Sequence, residues 1–154
     1  MTSQIIDKNA YKTEIARKYT SFLAKYPEIF SDLIKGSIFD FALYDSLDAY
    51  DKNSPVDIFN VYRNGNGIEI KSGAAINSDL ELALSISAVK KLIQTNNKTE
   101  YAHLLGFFYN NPDEAKGWID FVLHKRTHTL IEMGYGKFAK TAGILENDDD
   151  IYNI

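Results

Sequence analysis

Apolar side chains recur along this chain in two rhythms, one of three to four residues and one of two. The switches between them divide the sequence into elements. Over residues 10–26, Ile15, Tyr19, Phe22, Leu23 and Tyr26 fall on one face of a helix. Pro27 suits the first turn of a second, short helix carrying Ile29, Phe30, Leu33 and Ile34, and Gly36 is its stop. From residue 37 to 44 the rhythm becomes two, with Phe39, Phe41 and Leu43 on one side of a strand. Residues 45–55 read as a polar connection. Residues 56–63 are rich in strand formers. Asn64-Gly65-Asn66-Gly67 has the chemistry of a tight hairpin, because these residues tolerate positive φ. Residues 68–72 return, with Ile68 and Ile70 on one face and Glu69 and Lys71 on the other.

The cleanest alternation follows over residues 80–87, where Leu80, Leu82, Leu84 and Ile86 share one face of a half-buried strand. Residues 88–95 read as a helix with Val89, Leu92 and Ile93 inward. Residues 99–109 carry Tyr101, Leu104, Leu105 and Phe108 at helical spacing, and the helical reading is preferred to that of a strand over the apolar run 104–109. After a turn containing Pro112, residues 118–125 alternate as a strand through Ile119, Phe121 and Leu123. A last strand is expected over 129–133 and a closing helix over 135–145. Strands and helices are segregated rather than alternating. The expected fold class is therefore α+β: an antiparallel sheet of about five strands against N-terminal, crossover and C-terminal helices.

The 154 residues fit one domain, expected over 1–145, with an acidic and flexible tail over 146–154. There are no cysteines, which excludes disulfides, thiolate zinc sites and a cysteine nucleophile. No apolar run approaches the ~20 residues that span a bilayer, and residues 1–9 carry no long apolar stretch, so a cytoplasmic protein is expected. The net charge of −4 gives no basic footprint for nucleic acid. The net charge and the acidic tail motivate one functional reading, an interaction or immunity-type module that covers a basic protein partner.

A second reading arises from Asp57 with Glu69-Ile70-Lys71. Two carboxylates and a lysine on adjacent strands resemble the core motif of PD-(D/E)XK nucleases, where carboxylates hold a divalent cation and the lysine orients the attacking water. Glu14 is a candidate helix carboxylate for such a site. Against this, Glu-x-Lys is also what the solvent face of any hairpin requires. His124 and His128 have the spacing of paired metal ligands on a helix, but the first lies in an expected strand and no carboxylate pattern accompanies them. His103 is isolated. Ser85 and Ser87 lack nucleophile-elbow glycines, and the pairs Gly65/Gly67 and Gly134/Gly136 are too short for phosphate loops, so no metal or cofactor is expected.

The apolar surface itself gives the third reading. The run from Val61 to Gly73, followed by Ser78-Asp79-Leu80-Glu81-Leu82-Ala83-Leu84-Ser85 and a helix containing Val89-Lys90-Lys91-Leu92-Ile93, resembles the sterol-carrier-protein family. The order of the remaining elements over residues 15–145 is also similar, although the family's glycine-lysine strand entry stands reversed here as Lys116-Gly117. The resemblance implies a curved antiparallel sheet covered by helices with an apolar cavity between them. It further implies binding of a fatty acyl chain, sterol or similar lipid without chemical transformation. On that reading the ligand-binding residues are Leu80, Leu82, Leu84, Ile86, Val89, Leu92, Ile93, Leu104, Leu105, Phe108, Trp118, Phe121 and Phe138.

Overall fold

Thr13 starts the first helix. Its hydroxyl accepts the Ala16 N–H at 3.2 Å, Glu14 lies in the first turn and Lys25 in the last, each complementing the helix dipole. This helix, α1 (Glu14–Lys25), buries Ala16, Tyr19, Phe22 and Leu23 and is followed by a 3₁₀ turn at Pro27–Phe30. The computed structural model describes residues 11–65 and 67–144. The remaining elements are β1 (Ile38–Tyr44), α2 (Leu47–Asp51), β2 (Asp57–Asn64), β3 (Gly67–Ser72), β4 (Leu80–Ser85), α3 (Ile86–Leu92), α4 (Lys98–Asn110), β5 (Ile119–Leu123), α5 (Thr127–Glu132) and α6 (Tyr135–Thr141). The fold is α+β, with one five-stranded sheet in the order β3-β2-β1-β4-β5.

The sheet is mixed rather than antiparallel throughout. β1, β2 and β3 form an antiparallel meander, and β5 pairs antiparallel with β4, but β4 lies parallel to β1. Alternation shows that residues 80–85 are a strand; it carries no information about which edge that strand joins. Here the chain leaves β3 and passes back over the sheet to the free edge of β1. Crossing three strand spacings takes about 14 Å, well within the reach of residues 73–79. The crossing is fastened as it goes. Asn60 Nδ2 donates to the Gly73 carbonyl at 2.9 Å, the Ala75 N–H to Asp40 Oδ1 at 2.8 Å, and the Asp79 N–H to the Ile38 carbonyl at 2.7 Å.

Register sorts the side chains onto two faces. Phe41 lies opposite both Phe59 and Leu82, and Leu82 opposite Phe121, so these residues share the helix-covered face. There Phe41 and Phe59 stack with centroids 4.9 Å apart, and Tyr19 of α1 meets both edge-on. The other face carries Asp40, Asn60, Glu81 and Asp120, and a small apolar cluster of Ala42, Tyr44, Ala83 and Trp118 covered by Tyr50 of α2.

Several elements differ from the sequence expectation. The polar connection 45–55 contains α2, started by Ser46, whose Oγ accepts the Ala49 N–H at 3.0 Å. The alternating segment stops at Ser85, where the same kind of cap turns Ile86 and Ser87 into α3. Residues 129–133, expected as a strand, lie largely in α5: Leu130 is fully buried, and Gly134 at φ 100° ends the turn. A short apolar run does not distinguish helix from strand, and the deciding factor here is the core contact of Leu130. The helix over 99–109 is present as α4. The end of the expected closing helix at Leu145 and the tail 146–154 lie outside the described residues.

α6 is held by close backbone approach. A Cβ on Gly106 of α4 would fall 1.7 Å from the Ala142 carbonyl oxygen, and one on Gly134 would fall 1.9 Å from that of Asp32. Gly106→Ala is expected to cost about 2 kcal/mol or more through overpacking, measured by denaturant unfolding; an unchanged midpoint would remove this contact from the account of the fold.

Candidate functional site

Between the helix-covered sheet face and the helices lies an apolar cavity of about 120 Å³. Its floor is Phe39 and Phe41 of β1, Leu80 and Leu82 of β4, and Phe121 and Leu123 of β5. The 3₁₀ turn contributes Ile29 and Phe30. α4 contributes Tyr101, Leu105 and Tyr109, spaced by four so that they form one row along the helix. Leu130, Tyr135, Phe138, Ala139 and Ile144 close it from the C-terminal side. Tyr101, Phe41 and Ile29 are fully buried, whereas Tyr109, Phe121, Phe138 and Ile144 are half-exposed. The cavity therefore has a buried inner end at Tyr101 and an outer end at Tyr109, two helical turns or roughly 12 Å apart along α4.

Of the thirteen residues expected to contact a ligand, Leu80, Leu82, Leu105, Phe121 and Phe138 line this cavity. Leu84, Val89, Leu92 and Phe108 are buried in the filled part of the core, and Leu104 and Ile93 pack on its margin. Ile86 is half-buried in the first turn of α3. Trp118 is on the opposite side of the sheet, in the Tyr44–Tyr50 cluster. The aromatic lining from the 3₁₀ turn and β1, and Tyr135 of α6, is not singled out by the sequence. The alternation of Phe39 and Phe41 was the available signal, and it reads equally as ordinary core.

The nuclease constellation does not assemble. Asp57 shares the helix-covered face with Phe59, while Glu69 and Lys71 lie opposite Tyr62 and Asn60 on the other face. Asp57 Oδ2 instead accepts the N–H groups of Lys12 and Thr13 at 2.8 and 3.0 Å and the Thr13 hydroxyl at 3.1 Å, fixing the entry to α1. Glu69 accepts from Asn64 Nδ2 at 2.8 Å, and Lys71 is exposed. Glu14 pairs with Arg17 at 3.1 Å. His124 Nδ1 and Ser78 Oγ are 2.8 Å apart, His128 is on α5, and His103 is exposed on α4. Among the described residues no group of three His, Asp or Glu side chains is placed to hold a metal.

Two other polar groupings touch the cavity walls. Asp79, fully buried at the start of β4, accepts from Ile38 N–H at 2.9 Å, Lys125 Nζ at 2.5 Å and the Tyr135 hydroxyl at 2.6 Å. Burial and the adjoining Asp79 carboxylate both push the Tyr135 phenol well above its ordinary value. The hydroxyls of Tyr19 and Tyr101 face each other at 2.5 Å, and burial raises both phenols. On the opposite face, Tyr50 donates to Asp120 at 2.7 Å, and burial followed by that hydrogen bond raises Tyr50. Half-buried Glu81 is raised by desolvation first and the nearby Asp40 carboxylate second, with His124 opposing.

No protein-family model matches the chain, and no curated protein or solved structure matches it. No helix among the described residues is long and apolar enough to cross a membrane.

Two measurements test these assignments. Asp57→Ala is expected to lower stability by roughly 2 kcal/mol through loss of the helix-entry bonds, by the same amount with and without Mg²⁺; a loss seen only with Mg²⁺ would restore a metal role. Because Glu81 is raised in the folded state, its favourable contribution is present below the ordinary value of 4.5 and is lost as pH rises through the folded value. Glu81→Gln should therefore unfold at a higher temperature than wild type at pH 7, with the gap closing as pH falls towards 4.5; a gap that widens on acidification would refute this.

Proposed function

We propose that this domain binds a slender apolar ligand, an alkyl or acyl chain, in the cavity between sheet and helices without transforming it. The observation that carries the reading is the cavity itself: an almost wholly aliphatic and aromatic hollow beside the edge strand β5, closed by α4 and α6. The resemblance of residues 61–93 to the sterol-carrier pattern supports it independently of volume.

Size argues for the shape of the occupant. A volume of about 120 Å³ is close to the ~150 Å³ cavity that admits a benzene ring and well below the ~300–1,000 Å³ of sites that enclose a drug-sized ligand. A fused-ring sterol would require the walls to part, whereas a single chain enters end-on with its remainder outside. Each methylene withdrawn from water contributes about 0.8 kcal/mol, offset by the immobilisation of the chain. The nuclease reading loses its support because its three residues are divided between two faces of the sheet. The reading as an acidic module rests on the net charge of −4 and on residues 146–150, and the latter lie outside those described.

The test is titration of delipidated protein with cis-parinaric acid, a fluorescent polyene chain. Saturable binding at one site is expected in the wild type, with at least a tenfold loss in Leu105→Trp, which fills the cavity. Absence of saturable binding, or a Leu105→Trp variant that is folded and binds as wild type does, would overturn the proposal.

A further inference from the structure

The buried end of the cavity is not wholly apolar. Tyr101 lines it, and its hydroxyl is 2.5 Å from that of Tyr19, with Tyr19 fully buried and Tyr101 1% exposed. Each phenol carries one O–H donor. Between them they make this single hydrogen bond, and neither has another hydrogen-bond partner among the described residues. Two donors and one bond leave one proton over. A buried donor without an acceptor is unfavourable, and an acceptor brought to it completes its bonding.

The other polar groups around the cavity are occupied. The Tyr135 hydroxyl is committed to Asp79, and the carboxylate of Asp120 lies on the opposite face of the sheet, its two oxygens accepting from Tyr50 and from the Phe121 N–H. Tyr109 sits at the half-exposed outer end. No Lys, Arg or His lines the cavity. The inner end thus offers a hydrogen-bond donor and no cation.

From this count, and resting on the chain-binding reading above, we infer that the ligand carries a neutral oxygen acceptor at its buried end, an alcohol or a ketone or ester carbonyl, which takes the spare proton of the Tyr19–Tyr101 pair through Tyr101. The hydrocarbon then runs outward along Leu105 to Tyr109. An ionised carboxylate is disfavoured at the inner end, because burying it beside phenols alone leaves its charge uncompensated. A fatty acid would enter tail-first.

The experiment compares 1-octanol, 2-octanone, n-octane and octanoate as competitors of cis-parinaric acid on the wild type and on Tyr101→Phe, which removes the hydroxyl and keeps the ring. The expected result is a loss of 1-octanol and 2-octanone affinity about tenfold greater than the loss for n-octane, equivalent to about 1.4 kcal/mol. A loss equal for octanol and octane overturns the polar-end assignment and leaves chain binding standing. A failure of all four to compete on the wild type overturns chain binding itself. A specific loss for octanoate reverses the charge argument and overturns the choice of a neutral oxygen. A second measurement needs no variant: the carbonyl stretch of 2-octanone bound to wild type should lie at the lower, hydrogen-bonded frequency. A stretch at the position found in alkane solvent overturns the proposal.

Discussion

A single buried carboxylate registers four elements of this protein. Asp79 stands at the end of the segment that crosses the sheet, and its backbone N–H and side chain together bond Ile38, the first residue of β1. That pair of contacts begins the parallel β1–β4 ladder. The same side chain draws in Lys125 just beyond β5 and Tyr135 at the start of α6. An isolated charge in such a place would be prohibitively costly, so the arrangement is tolerated only because cation, phenol and backbone donor arrive together. The position of α6, and with it the C-terminal wall of the cavity, follows from that convergence.

The sheet divides its work by face. One side presents Phe39, Phe41, Phe59, Leu82 and Phe121 to the helices, and there the cavity forms. The other is mostly polar, with Asp40, Asn60, Glu81 and Asp120 set among hydrogen bonds from the crossing segment and from Tyr50. Period-two alternation makes this possible, since adjacent residues of one strand serve opposite surfaces. It also explains why Asp57 and Glu69 never meet: residues that are near in sequence pattern are separated by the thickness of the sheet.

Much of the fold was legible in the sequence. The strands at Phe39, Ile70, Leu82 and Phe121 announce themselves by alternation, that at Val61 by its strand-forming residues, and the hairpin by its glycines. Parallel pairing was not legible, because it depends on where a loop goes rather than on any local propensity. The helix at Leu130 is not legible, since six residues are too few for period to decide. The site was legible in part. Leu82, Leu105 and Phe121 were found because a strand face and a helix face both pointed inward. Trp118 misled because bulk and apolarity do not reveal which side of a sheet a residue occupies just before its strand begins. The Tyr19–Tyr101 pairing joins residues 82 apart and leaves no trace in spacing.

The contact of α4 with α6 at Gly106 has a mechanical meaning. The two helices meet there backbone against backbone, with the Ala142 carbonyl where a side chain would otherwise intervene. No rotamer can yield at such a junction, so that jaw of the cavity is stiff. The facing jaw is β5, a five-residue strand at the sheet edge, hydrogen-bonded to β4 on one side alone. Compliance is therefore unequal, and an oversized occupant would be accommodated by deflection of the edge strand, as in a vice with one fixed and one sprung plate.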